Sequence, residues 1–196
     1  MATTDARADE ILHAATNLIQ KRGYNGFSFR DVAAEVGIRS ASIHYHFPTK
    51  SDLAISATVA YREAFSDILA GINENHASAI EKLRAYGDVF LSTLKSNGNV
   101  CLCGMLAGES EAIPNEVLQE VNKFFEEQCA WLNSVFQQGQ IDGDLRSEID
   151  GSQFATSFFS ALEGAMIMAR GLQQPDILSN SINQQLASVA INARKK

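Results

Sequence analysis

The sequence predicts an all-α protein with a small N-terminal head and a larger helical body. Three observations carry this. Apolar residues recur at helical spacing along most of the 196 residues. Nothing alternates long enough to make a strand. All three prolines (Pro48, Pro114, Pro175) fall at inferred helix starts, where a missing N–H costs nothing.

In the first segment Ile11, Leu12, Ala15, Leu18 and Ile19 share one helical face. Lys21 and Arg22 close that helix, where cations suit the dipole, and Gly23 stops it. Ser28 with Asp31 three residues on forms a capping-box pair for a second helix, which ends at Gly37. A short third helix spans about Ser40 to His46, and Pro48 cannot continue it. Thr49 with Asp52 caps a long fourth helix from Lys50 to about Ile72, whose length suits a connection between head and body.

The body continues in helices over 79–95, a short buried one within "VCLCGMLAGES", a long one over 115–140, and one over 151–172 capped by Asp150. That last helix reads as apolar nearly all round except for Glu163 and Arg170. Phe124, Phe125, Trp131, Phe136, Phe158, Phe159, Met166 and Met168 read as core. The expected domains are 1–50, the head, and 51–196, the body.

The net charge is −7, unevenly spread. Residues 1–60 hold six Lys/Arg and six Asp/Glu. The other 136 residues hold ten bases and seventeen acids, and so the whole excess. An acidic chain argues against a nucleoid-type binder that coats nucleic acid nonspecifically. It leaves room for a neutral head with a local basic face, made here by Arg30, Arg39 and Lys50, with Lys21 and Arg22 near. No run is apolar enough to cross a membrane, and "MATTDARADEIL" lacks the order of a secretory signal, so the expected location is the cytoplasm. Three cysteines without a signal are not a disulfide framework. GxSxG, HExxH, P-loop and dinucleotide motifs are absent, so no enzyme activity and no cofactor are expected.

Helix, glycine turn, short helix is the pattern of a helix-turn-helix, whose second helix enters the major groove. Stepping 100° per residue from Ser40 puts Ile43 at about 300° and Phe47 at about 340°, a buried stripe. Ala41, Ser42, Tyr45 and His46 fall between about 100° and 240°, on the outward face, and His44 lies on the flank. Small residues let such a helix seat deeply, while Tyr and His exchange hydrogen bonds with base edges and phosphates. Lys50, at the start of the next helix, is placed to meet a phosphate. His44 and His46 point about 200° apart on a helix, which disfavours a shared metal, and no metal site is expected.

Residues 9–56 resemble the DNA-binding domain of tetracycline-repressor (TetR) family transcription regulators, the matching run being "ILHAATNLIQKRGYNGFSFRDVAAEVGIRSASIHYHFPTKSDL" with its "HFPTKSDL" exit. The rest resembles the family's helical regulatory domain in architecture, with weaker likeness in "CLCGMLAGE" and "GDLRSEIDG". The resemblance implies a homodimer that binds a palindromic double-stranded operator, usually represses, and is released by a small-molecule effector. It implies DNA contacts at Arg30, Ser40, Ala41, Ser42, His44, Tyr45, His46 and Lys50. His44 departs from the tyrosine often found there. It places the dimer interface near 115–139 and 151–171.

An effector cavity is expected to be lined by some of Phe90, Cys101, Cys103, Met105, Trp131, Phe158 and Met166, with Glu109 or His76 as polar anchors. Such a lining suits an apolar organic effector. Cys101 and Cys103 read first as packing or pocket lining. The alternative is an electrophile or redox sensor acting through one of them, which needs an accessible, low-pKa thiolate.

Overall fold

A computed structural model describes residues 4–191. Nine helices occur among them: α1 (Thr4–Arg22), α2 (Phe29–Val36), α3 (Ser40–His46), α4 (Lys50–Asn75), α5 (Ala79–Asn97), α6 (Leu102–Ala107), α7 (Asn115–Ile141), α8 (Gly151–Leu172) and α9 (Asp176–Val189). The described residues contain no strand, only one isolated bridge between Leu145 and Ala190. No helix among them is long and apolar enough to cross a membrane.

The helix ends form where local chemistry allows. Ser28 accepts from the Asp31 N–H while the Asp31 carboxylate accepts from Ser28, a full capping box. Thr49 and Asp52 make the same reciprocal pair at the start of α4. Asp150 accepts from the Gln153 N–H at 2.8 Å and caps α8. Gly37 ends α2 with φ 74°, a left-handed conformation that costs any residue with a Cβ about 1 kcal/mol or more.

The chain gathers into two compact units. The first comprises the chain up to Phe65 together with Cys101–Phe124; the second comprises Ser66–Val100 together with the chain from Phe125 on. In the first unit, α1 buries Ile11, Ala15, Leu18 and Ile19, α2 buries Val32 and Ala33, and α3 contributes Ile43. Leu102, Cys103 and Leu106 of α6 are buried in the same unit. Arg62 of α4 pairs with Glu120 of α7 at 2.5 Å, and Lys123 meets the same carboxylate at 2.6 Å.

The second unit is built on aromatic residues. Tyr86 of α5 stacks on Trp131 of α7 at 5.5 Å and lies 5.3 Å from Phe90 and 6.2 Å from Phe158. Phe154 bridges Phe136 and Phe158 in stacked pairs at 4.4 and 5.4 Å. Gly87 lets α9 approach, since a Cβ there would meet Ile182 at 3.0 Å.

One expectation about α8 fails. Met168, read as core, is 57 % exposed, and Ile167 and Leu172 beside it are 48 % and 58 % exposed. The helix is amphipathic in burial though not in sequence. Phe158, Leu162, Ala165 and Ala169 face inward, and the helical period turns 164, 168 and 171 the other way.

Candidate nucleic-acid interface

α2 and α3 pack with the glycine turn between them, and α3 takes the rotation its sequence dictates. Ile43 is fully buried and Phe47 nearly so. Ala41, Ser42, His44 and Tyr45 are exposed, Ser40 and His46 half-buried. Tyr45 projects furthest, at 79 % exposure, with the His46 ring edge-on at 5.2 Å. α3 has no side-chain cap, because Arg39 holds the N-cap position and its side chain makes no cap bond.

Ala41, Ser42, Tyr45 and His46 form one wall of an open cleft of about 660 Å³, which Ile38, Arg39 and Arg7 complete. Arg7, at the start of α1, is a residue that sequence reasoning missed. Its spacing from α3 carries no local signal, and only the packing of α1 against α2 brings it to the groove. It holds Glu10 at 2.5 Å on the exposed surface, a pairing weak enough to exchange for a phosphate.

His44 lies on the flank. Its ring stands edge-on to Phe29 at 4.6 Å, and its Nδ1 is 3.3 Å from the Pro48 carbonyl. A carbonyl only accepts, so Nδ1 carries the proton, which orients the imidazole and presents Nε2 away from that bond. Arg30 is exposed on α2. Arg22 is less available, because it reaches Asp31 at 3.4 Å.

Lys50 sits at the start of α4, with its ammonium 4.5 Å from the Tyr24 ring and 4.6 Å from the Phe27 ring. Burial pushes its pKa down, opposed by the negative charges of Glu109 and Asp31. The cation is therefore held at the junction of the α1–α2 turn with α4, not on the groove wall.

The residues expected around an effector divide between the units. Cys101, Cys103 and Met105 belong to the first, and both thiols are buried. Phe90, Trp131, Phe158 and Met166 belong to the second, where Phe90, Trp131 and Phe158 pack on Tyr86, a residue that no motif or spacing singles out. Glu109 is already engaged by Asn25. Cys129, half-buried, has its thiol pKa pushed up by burial.

Residues 11–57 match the family model of bacterial regulatory proteins of the tetR family, and residues 79–184 match that of the tetracyclin repressor-like C-terminal domain. The chain belongs to the TetR family. A TetR-family transcriptional regulator from Agrobacterium tumefaciens is similar over 96 % of this chain and 100 % of its own, at 32 % identity and TM-score 0.92. A second, from Legionella pneumophila, covers 96 % and 98 % at 31 % identity and TM-score 0.87. Among curated proteins, the HTH-type transcriptional regulator YezE of Bacillus subtilis is 26 % identical over 141 residues, 72 % of each chain. The protein is thus a DNA-binding transcriptional regulator with the TetR-type fold, and α2–α3 is its helix-turn-helix.

Proposed function

We propose that this TetR-family regulator is a cytoplasmic repressor that holds a palindromic operator as a homodimer and lets go when a small apolar effector occupies its body. Residues 1–50 read DNA; residues 51–196 dimerise and sense. The observation that carries the reading is the exposed α3 face, Ala41, Ser42, Tyr45 and His46, opening between Arg7 and Arg39. Base-edge readers stand in the middle and phosphate binders at the rim.

One short helix reads too few base pairs to pick a site from a genome, so two heads on a two-fold axis are required. The outward face of α8 supports self-association: Ile167, Met168 and Leu172 are exposed, and Gly164 and Gly171 have open space where a Cβ would be. An effector releases DNA only by binding the DNA-free arrangement of the two heads more tightly than the bound one. Burial of Cys101 and Cys103 supports the apolar effector over the thiol alternative, since a sensing thiolate must be reached by its oxidant.

The test is binding to DNA flanking the protein's own gene. The expected result is a saturable, salt-sensitive complex with two-fold symmetric protection, displaced by an apolar compound. Binding indifferent to sequence, or protection of a single asymmetric half-site, contradicts it.

A further inference from the structure

His44 turns toward solvent a nitrogen that carries no proton. Its Nδ1 lies 3.3 Å from the Pro48 carbonyl, and the Phe29 ring stands edge-on to it at 4.6 Å. A carbonyl only accepts, so the single proton of the neutral ring sits on Nδ1, and Nε2 is left as a lone pair. His46 differs. Among the described residues its ring meets only the Tyr45 and Phe47 rings, and neither nitrogen has a hydrogen-bond partner. It takes either tautomer and can turn an N–H outward without gaining a proton.

His44 also stands off the base-reading wall. The cleft beside α3 is lined by Ala41, Ser42, Tyr45 and His46 and does not include it. Its exposed side chain lies on the flank, between α2 and the turn into α4. A helix seated in the major groove meets phosphates along its flanks. A phosphate oxygen only accepts, and so does Nε2 of the neutral ring; two acceptors repel. The contact forms when Nε2 takes a second proton from solvent, and the charge-assisted bond is then about twice as strong as a neutral one.

The carboxylates on the surrounding elements are engaged elsewhere. On α2, Asp31 accepts from Ser28 and pairs with Arg22, while Glu35 lines a separate cleft with Asp9 and Glu10 of α1. At the start of α4, Asp52 accepts from Thr49. The cations are Arg30, exposed on α2, Arg39 on the reading cleft, and Lys50 over the Tyr24 and Phe27 rings. No carboxylate among the described residues pairs with the His44 ring. The incoming phosphate is thus the negative charge that can hold a second proton there.

We infer that His44 binds a DNA phosphate only as the imidazolium, so that each head takes up one proton as it seats on DNA. This rests on the reading of α3 as the DNA-reading helix and adds the proton as a ligand of the complex. Histidine is the side chain whose charge ordinarily changes between about pH 5 and 8. The contact is complete at acid pH and is lost as pH rises past the point where the bound ring gives up its second proton.

The experiment measures binding of the full-length protein to two duplexes, one from the DNA flanking its own gene and one unrelated, from about pH 6 to about pH 8 at fixed ionic strength. Wild type is expected to lose about tenfold in affinity over that range on both duplexes, because a phosphate contact carries no sequence. Calorimetry in buffers of different ionisation enthalpy is expected to show proton uptake on binding. His44→Gln, whose amide donates at any pH, is expected to flatten the pH dependence and abolish the uptake. His46→Gln is expected to keep both. A wild-type affinity that does not change with pH overturns the inference, since the neutral ring then leaves the Pro48 carbonyl to donate. A pH dependence that survives His44→Gln, or that vanishes in His46→Gln, also overturns it. Failure of the DNA-reading assignment is distinguishable, because neither duplex is then bound at any pH.

Discussion

Glu109, in the turn after α6, accepts hydrogen bonds from both the backbone N–H and the side-chain amide of Asn25, at 3.0 and 2.6 Å. The two are 84 residues apart. Gly23 permits the approach, because a Cβ there would collide with the carboxylate. One acidic side chain thus ties the turn that ends α1 to the segment that follows α6.

That tie predicts coupled stability effects. Asn25→Ala and Glu109→Gln should each lower stability, and the double mutant should lose less than their sum. The coupling should be about 0.5–1.5 kcal/mol in a denaturant double-mutant cycle. Strict additivity would mean that the contact contributes nothing.

Lys50 separates packing from charge. Lys50→Met keeps an apolar stem against Tyr24 and Phe27 and removes the cation. Because burial lowers the Lys50 pKa, folding disfavours its charged form, and this penalty fades as pH rises from below 10.5 through it. Lys50→Met should therefore cost little stability at neutral pH. If the ammonium leaves the rings for a phosphate on DNA, the variant should also weaken binding to all sequences and reduce the log–log salt slope by about one. An unchanged slope assigns Lys50 to the fold alone.

Tyr45 stands out from α3 with nothing to hold in the free protein except the His46 ring. Tyr45→Ala should leave the thermal midpoint nearly unmoved and weaken specific binding by about 1–3 kcal/mol. Arg7→Ala should weaken specific and nonspecific DNA alike. Competition with unrelated DNA distinguishes the two behaviours.

The exposed α8 face makes its own claim. Met168→Glu introduces a charge where Ile167 and Leu172 are also exposed. Sedimentation should show a monomer at micromolar concentration, with operator binding lost. A dimer that survives the substitution moves the interface elsewhere.

Glu120 supplies a pH dependence. A hydrogen bond from Lys123 first, then one from Arg62, holds its carboxyl below the ordinary value of 4.5 against the opposing effect of burial. A depressed carboxylate contributes stability that is full above 4.5 and is lost as pH falls through the folded value. Glu120→Gln should cost about 1–3 kcal/mol at neutral pH. The gap from wild type should narrow steadily below pH 4.5 in denaturant melts. A gap independent of pH contradicts the pairing.

The parts of this molecule legible in sequence are those decided within a turn or two. Ser28 and Asp31, or Thr49 and Asp52, cap their helices through residues three apart. The rotation of α3 follows from 100° steps, and Ile43, Phe47 and Tyr45 lie where those steps put them. The resemblance of residues 9–56 marks the helix-turn-helix that the tetR-family model matches over residues 11–57. What stayed hidden depends on chain crossing long separations. Arg7 reaches the groove only through the packing of α1. Lys50 finds two rings that precede it by more than twenty residues. Tyr86 becomes a hub because α7 and α8 bring Trp131 and Phe159 to it. Met168 reads as core yet stands exposed, because an apolar residue says that it will be covered, not by what. The burial of Gln128 has no sequence signature, since a glutamine on a long helix ordinarily faces water.

In the proposed complex, two copies of the α3 face read one symmetric DNA site. Footprinting of the DNA flanking the protein's own gene, with wild type and Tyr45→Ala side by side, tests it most directly. Two protected half-sites related by inverted symmetry are expected, their centres at least one helical turn apart, both fading together in Tyr45→Ala. Protection without inverted symmetry, or a footprint that Tyr45→Ala leaves unchanged, would contradict it.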